Sequence, residues 1–319
     1  MSAGRRVAVV TGATGGMGRV LTRELVRNGL HVVAVARDAV RADALLSPDM
    51  PGGGTWEVVA GDLSQRAGVI RVAGAIAERH DAVHVLINNA GAHYAQHRRS
   101  PDGIELHIAV DYLAAFGMIT QLEEQLRRGR ARVVNVASDS LRDARRITLL
   151  GTPRPATIDA GELDDLARLN PAAGFIAFDA YARAKLLTVT AGYSLARSFA
   201  GEVTVNAVHP GIVSTEIIDS LIPAPLRPLE GLIRRALLTP EQGAAAALRL
   251  AVDPAMEGVT GRYFVRDIET PTPPVSRDPD VQRRLRETSD RFFRGAAECA
   301  DCAGSTSRGG DMDEPTCGE

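Results

Sequence analysis

Tyr181 and Lys185 stand four residues apart in the stretch AFDAYARAKLLTVT, residues 177–190, and Lys185 is the only lysine in a chain with 37 lysines and arginines together. Spacing of i, i+4 puts both side chains on one face of a helix. An ammonium beside a phenol favours the phenolate, which predicts a tyrosine pKa lowered from about 10 toward the working range. A tyrosine so placed can give a proton to a carbonyl oxygen and recover it in the reverse direction. Lysine suits this role better than arginine, because a compact ammonium can also hydrogen-bond vicinal ribose hydroxyls. The plainer reading is a chance pair on a surface helix. Its weakness is that every other cation of the chain is arginine, so at position 185 the shape of the cation matters as well as its sign.

A second constellation lies at the N-terminus. TGATGGMG (11–18) follows a strand-like run and opens a helix-like one. Gly12 permits a tight turn, Gly16 lets a pyrophosphate approach the backbone, and Gly18 lets helix and strand pack closely. Phosphates would then sit at a helix N-terminus, where free N–H groups and the helix dipole favour anions. Downstream, Asp62 in VVAGDLS sits just past another strand run, at the depth where an adenine could lie; its alternative role is to cap the next helix. The amides of VLINNAG (85–91) either touch a ligand or bridge strands by hydrogen bonds.

The elements that must position these residues alternate in type. Strand-like runs fall at 6–11, 31–36, 56–60, 82–88, 131–138, 202–208 and 261–265, and are continuous in Val, Ile, Leu and Ala. Such runs mark parallel strands covered on both faces. Helix-length segments at 16–29, 64–79, 102–128, 178–200 and 240–252 separate most of them. The pattern predicts an α/β fold: a Rossmann-like doubly wound parallel sheet in three αβα layers, forming one dinucleotide-binding catalytic domain over 1–268. Residues 139–177 interrupt the rhythm as a long insert, and 212–239 as an apolar, proline-bearing lid. Both follow strand carboxyl ends and are expected to wall a substrate pocket. Residues 269–295 read as a linker and a capped amphipathic helix that packs on the domain, and 296–319 as a small, polar, disordered tail.

Composition narrows the class further. With 45% hydrophobic residues, 24% charged residues and a net charge of −2, the chain gives no electrostatic reason to bind nucleic acid or an anionic membrane. It lacks the apolar run of roughly 20 residues that spans a bilayer, and its N-terminus is too short and glycine-rich for a signal peptide. All three cysteines, Cys299, Cys302 and Cys317, lie in the tail. They cannot be a disulfide framework for the body, and no histidine nearby completes a four-ligand zinc site. A soluble, cytoplasmic protein without a structural metal is the expectation.

TGxxxGxG at 11–18, Asp62, NNAG at 88–91, Ser138, Tyr181-x-x-x-Lys185 and HPGIVST at 209–215 occur in one order. In this the chain resembles the short-chain dehydrogenase/reductase family over roughly residues 5–295. The insert before Tyr181, YARAKLL and VTVNAVHPGIVST are most similar to the retinol dehydrogenase, WW-domain oxidoreductase and protochlorophyllide reductase branch. The resemblance implies Tyr181 as general acid/base, Lys185 as ribose ligand and modulator of the tyrosine, and Ser138 as a hydrogen-bond partner of the substrate oxygen. It also implies cofactor contacts from Gly12, Thr14, Gly16, Met17 and Gly18, from Arg37, Asp62 and Leu63, from Asn89, Ala90 and Gly91, and from Pro210, Gly211, Val213 and Thr215, beside Tyr181 and Lys185. The family's fourth catalytic residue is an Asn that should fall within IELHIAVDYLAAF (104–116); that segment has none, and Asp111 takes the place.

The cofactor expected is NADP(H) rather than NAD(H). An acidic residue at the end of the second strand would bond the ribose 2′-hydroxyl and repel a 2′-phosphate, whereas here that place reads Ala36-Arg37, with Asp38 one residue later. The expected activity is interconversion of a carbonyl and an alcohol on a small, apolar substrate, in a homo-oligomer of the kind family members form through the helix carrying Tyr181. The alternatives are reduction of an activated C=C bond, a non-redox use of the same site, or an NADP(H)-sensing interaction protein that binds without turnover.

Overall fold

The structure is a computed structural model describing residues 5–145, 152–214 and 237–295. Its frame is an eight-stranded sheet. The strands are β1 (Val7–Thr11), β2 (His31–Ala36), β3 (Thr55–Ala60), β4 (Val85–Asn88), β5 (Arg132–Val136), β6 (Thr204–His209), β7 (Tyr263–Val265) and β8 (Ile268–Glu269), in the order β3-β2-β1-β4-β5-β6-β7-β8. Pairings from β3 through β7 are parallel, and only the short β8, which the sequence patterning did not indicate, runs antiparallel at the edge. The order reverses between β1 and β4, which opens a ligand crevice at the strand carboxyl ends there.

Successive residues of each inner strand enter opposite cores. Val7, Val9, Val33, Val35, Leu86, Val133, Val205 and Ala207 join one cluster, while Ala8, Val10, Val32, Ala34, Val85, Ile87, Val134 and Val208 join the other. This is why apolar residues follow one another along these strands rather than alternate with polar ones. Helices α1 (Gly16–Arg27) and α7 (Pro240–Val252) cover one face through Leu21, Leu25, Ala247 and Leu250. Helices α3 (Arg66–Ala77), α4 (Ala114–Gln121), α6 (Ala177–Ser198) and α8 (Pro279–Arg294) cover the other. The remaining α2 (Ala39–Leu46) and α5 (Glu123–Arg128) sit at the periphery.

Local chemistry sets the helix ends. Thr239 and Gln242 form a reciprocal capping box with Pro240 in the first turn of α7, a position where the missing proline N–H has no intrahelical partner to lose. Asp278 likewise caps α8 by accepting from the N–H groups of Asp280 and Val281. The predicted helix over 102–128 is not continuous. It passes through a π-helical turn over Ile108–Leu113, then α4, and breaks at Leu122 before α5. The strand predicted over 82–88 forms only at Val85–Asn88.

The insert after β5 is packed rather than loose where it is described. Ala156, Ile158, Leu163, Leu166 and Leu169 enter the larger core, and the Ala144 N–H donates to Arg154 O at 2.7 Å while that of Ala156 donates to Leu141 O at 3.0 Å. Helix α8 docks through Val281, Leu285 and Phe293, with the Tyr112 and Ser289 hydroxyls 2.5 Å apart beneath it. Most of the lid, residues 215–236 including Thr215, and the tail 296–319 lie outside the described residues. Among the described residues, no helix is long and apolar enough to cross a membrane.

Candidate active site

The turn after β1 is shaped by glycine where nothing else fits. Gly12 has φ of +65°, a left-handed conformation, and a Cβ there would come within 2.9 Å of Ala90 Cα. At Gly18 a Cβ would lie 2.0 Å from the Gly12 carbonyl oxygen, so only glycine lets α1 start this close to the strand. The N-terminus of α1 has neither a side-chain cap nor an acidic residue in its first turn. Its N–H groups are left to an incoming anion, and the cradle suits a pyrophosphate. Thr14 and Gly16 line the outside of the turn, and Met17 is buried beneath it.

The end of β4 is bound to this turn. The Thr11 hydroxyl accepts from the N–H groups of Asn89 at 3.1 Å and Ala90 at 3.0 Å, and the Asn89 amide donates to the carbonyls of Thr11 and Gly12 at 3.0 and 3.2 Å. Asn88 instead bridges strands, donating to Asn135 Oδ1 at 2.9 Å across the β4–β5 pair. Both amides of the NNAG motif therefore have a structural task. Thr11 is a part of the cradle that the sequence did not single out.

Arg37 is exposed just beyond β2, and the half-buried Asp62 stands beyond β3 with Leu63 buried behind it. Burial works against the Asp62 carboxylate. Hydrogen bonds from Ser64 and Gln65, together with the charge of Arg37, nevertheless hold its pKa below the ordinary value. Asp38, the acidic residue next to Arg37, accepts from the Arg41 N–H as the cap of α2. Beyond β6, Pro210 and Val213 are buried, and Gly211 has φ of +96°. The Val213 segment pairs with Leu238 in an isolated parallel bridge.

The reacting end is built from β5, α6 and the π-helical turn. Tyr181 and Lys185 are 7% and 4% exposed, so a 22-residue helix carries both into the interior. Ser138, two residues beyond β5, places its hydroxyl on the Tyr181 side of the crevice, where it favours the tyrosinate. The Lys185 ammonium lies 5.6 Å from the centre of the Tyr181 ring, donates to the Val136 carbonyl at 3.1 Å, and sits 3.0 Å from Asp111 Oδ1. Two of its three protons are thus engaged, and a third is left for a ligand.

Asp111 accordingly joins Lys185 at the candidate site. Oδ1 also accepts from the Ala92 N–H at 3.2 Å, the backbone carbonyl accepts from the Thr188 hydroxyl at 2.7 Å, and the buried Oδ2 has no hydrogen-bond partner. The π-helical turn that presents it is a local widening found often at functional positions. A Cβ on Gly91 would come within 2.7 Å of Asp111 Oδ1 and 3.2 Å of Lys185 Nζ, so this glycine keeps the ion pair uncrowded.

The charges interact. Burial disfavours the Lys185 ammonium, but Asp111 and Tyr181 overcome it and hold the lysine pKa above its ordinary value. Burial raises the Asp111 pKa despite Lys185. For Tyr181, spacing alone predicts a lowered pKa. In the structure burial and the Asp111 charge outweigh the attraction of Lys185 and the influence of the Ser138 hydroxyl, and the net shift is upward.

A buried polar cluster behind the tyrosine is a feature the sequence reading missed. Glu105 Oε1 accepts from His107 Nδ1 at 2.8 Å, His107 Nε2 accepts from the Tyr94 N–H at 3.0 Å, and the Asn170 amide donates to Glu105 Oε2 at 2.9 Å and to the Ala180 carbonyl at 3.2 Å. These contacts assign the neutral Nδ1–H tautomer to His107. The cluster ties the loop after β4 and the end of the insert to the first turn of α6, one residue before Tyr181. His93 and His107 flank the Tyr181 ring at 5.9 and 6.1 Å between centres. The available signal was two ionisable residues inside the otherwise apolar run IELHIAV.

The chain is similar to known proteins along most of its length. The family model described as short chain dehydrogenase matches residues 6–146. Human polyprenol dehydrogenase is 30% identical over 290 residues, covering 88% of this chain and 82% of that protein. Mouse retinol dehydrogenase 14 is 31% identical over 302 residues, covering 89% and 85%. Among solved structures, the Pseudomonas aeruginosa RhlG/NADP active-site complex superposes with a TM-score of 0.60 at 25% identity, covering 83% of this chain and 96% of that one.

Proposed function

Because the chain belongs to the short-chain dehydrogenase/reductase family of oxidoreductases, we propose that it interconverts a carbonyl compound and an alcohol with a nicotinamide cofactor, NADP(H) in preference to NAD(H). The observation that carries this reading is the buried Tyr181, with the Lys185 ammonium 5.6 Å from its ring centre. The cofactor supplies or accepts the hydride when bound. In reduction, Tyr181 gives its proton to the carbonyl oxygen while Ser138 hydrogen-bonds the same oxygen; in oxidation, the tyrosinate takes the proton back. Lys185 stabilises that tyrosinate and offers its remaining proton to a ribose hydroxyl.

A tyrosine held above its ordinary pKa stays a phenol at neutral pH, the form that donates. Near neutrality the site is therefore suited to carbonyl reduction, and alcohol oxidation belongs to alkaline conditions. The cradle after β1 would hold the pyrophosphate, and Arg37 a 2′-phosphate through its planar fork. Asp38, which would repel that phosphate, is turned to the cap of α2. Relatives named for polyprenol and retinol, both apolar alcohols, support an apolar substrate. Localisation to the cytoplasm and pairing of two copies through α6 belong to the same proposal.

The test is a panel of apolar aldehydes, ketones and alcohols with NADPH or NADP⁺, followed at the nicotinamide absorbance with Tyr181→Phe as control. Turnover that disappears in the variant supports the reading. Tight NADPH binding with no consumption across the panel would overturn it in favour of a sensor.

A further inference from the structure

Away from the crevice, at the amino ends of the strands, three side chains from three elements converge. His31 opens β2, Glu57 lies in the edge strand β3, and His80 follows the end of α3. Glu57 Oε1 stands 2.7 Å from His80 Nε2 and 3.6 Å from His31 Nε2, and the three donor atoms all lie within 4.8 Å of one another. Among the described residues no other group of His, Cys, Asp and Glu converges in this way.

The surroundings prepare the donors. His31 Nδ1 lies 2.7 Å from the Thr55 hydroxyl, which can take its proton and leave Nε2 as a lone pair. That Nε2 is buried and has no hydrogen-bond partner. Metal-binding histidines are usually fixed by such an outer hydrogen bond on the other ring nitrogen. On Glu57, Arg79 engages Oε2 at 3.1 Å and leaves Oε1 turned toward the rings. The donor atoms are between 2.7 and 4.8 Å apart, so the wider gaps must close a little and the His80–Glu57 pair open a little to reach the separations of roughly 3.3 Å that tetrahedral zinc bonds of about 2.0–2.2 Å require. Two imidazoles and one carboxylate suit zinc, whereas calcium and magnesium ask for an all-oxygen set.

We propose that His31, Glu57 and His80 form a zinc site, completed by water, that ties the end of α3 to the edge of the sheet. Zinc would displace the His80–Glu57 hydrogen bond, with His80 in its Nδ1–H form; no proton or electron is consumed. The site differs from the tail cysteines in place and in donor type, and from the crevice in lying at the opposite ends of the strands.

The experiment is calorimetric titration of ZnCl₂ into the full chain, freed of metal by chelator and carrying Cys299→Ser, Cys302→Ser and Cys317→Ser so that tail thiols do not compete. One zinc per chain is expected, with a melting temperature that rises with zinc. His31→Ala and His80→Ala should each lower the affinity by about tenfold or more. His80→Cys should restore binding and, with Co²⁺, add a thiolate charge-transfer band absent from the parent. Absence of zinc binding in the thiol-free chain, or unchanged affinity in both alanine variants, overturns the proposal. Should an alanine variant fail to fold by circular dichroism, the Cys variant decides: no thiolate band on Co²⁺ counts against the site.

Discussion

Replacing Asp111 by asparagine removes one charge from the reacting centre and leaves its backbone carbonyl, with the Thr188 hydroxyl bonded to it, in place. Lys185 Nζ is 5.6 Å from the Tyr181 ring centre, and at an effective dielectric of about 20 a unit charge at that range favours the phenolate by roughly 3 kcal/mol. Asp111 Oδ1 is 3.0 Å from the same nitrogen, so it lies no more than about 8.6 Å from the ring centre. It therefore opposes ionisation by roughly 2 kcal/mol or more, cancelling most of what the lysine gives.

In the asparagine variant the tyrosine pKa should fall, because the opposing Asp111 charge is gone. Oxidation needs the tyrosinate, so the midpoint of its pH profile should move to lower pH, with turnover retained. Lys185 keeps the Val136 carbonyl as an acceptor. The shift can be read from kcat/KM for alcohol oxidation against pH. It can also be read without any substrate, by ultraviolet titration of tyrosinate with the corresponding Tyr181→Phe chain subtracted. A midpoint that stays in place or moves upward would refute the electrostatic reasoning. Abolished turnover would show that the carboxylate has an essential task of its own.

Other variants test separate parts of the site. Tyr181→Phe should bind cofactor about normally by fluorescence titration and lose at least about 100-fold in kcat, since only the proton donor is removed. Lys185→Arg should lower both cofactor affinity and kcat, because a planar fork cannot fill a buried position engaged with Asp111 Oδ1 and the Val136 carbonyl. Arg37→Ala should weaken NADPH binding by about tenfold or more and leave NADH nearly unchanged by calorimetry. Gly91→Ala should cost about 1–3 kcal/mol in denaturant unfolding and reduce turnover, because its methyl would meet Asp111 and Lys185.

Most strands were legible because apolar residues follow one another in them, as in a sheet covered on both faces, whereas the two-residue β8 carries no such run. Position 111 was legible as an acidic residue where an amide was expected, but the direct bond to Lys185 was not. That contact depends on the π-helical turn, which a continuous helix over 102–128 does not contain. Glu105 and His107 escaped for a related reason. Two residues apart on a regular helix they would face different ways, whereas here Glu105 precedes the helical turn and folds back onto the ring. Their partner Asn170 is 65 residues from Glu105, with φ of +53°, and no local spacing signals such a meeting. The insert was read as a pocket wall from its length, yet its leucines serve the larger core where they are described. The convergence of His31, Glu57 and His80 is likewise a product of strand register and the length of α3.

The solitary Lys185 makes the molecule its own reporter of unfolding. Apart from the α-amino group, the chain presents one primary amine, and folding hides it against Asp111 in the interior of α6. A protease specific for lysine has one bond to cut, after residue 185, in a helix that must come apart before the bond can enter a protease cleft. Digestion should therefore yield two fragments at a rate set by the opening of that helix. An amine-reactive reagent should mark Lys185 only as the site opens. A bound nucleotide that takes up the third proton of the ammonium would slow both reactions, so occupancy of the crevice could be followed with no substrate in hand.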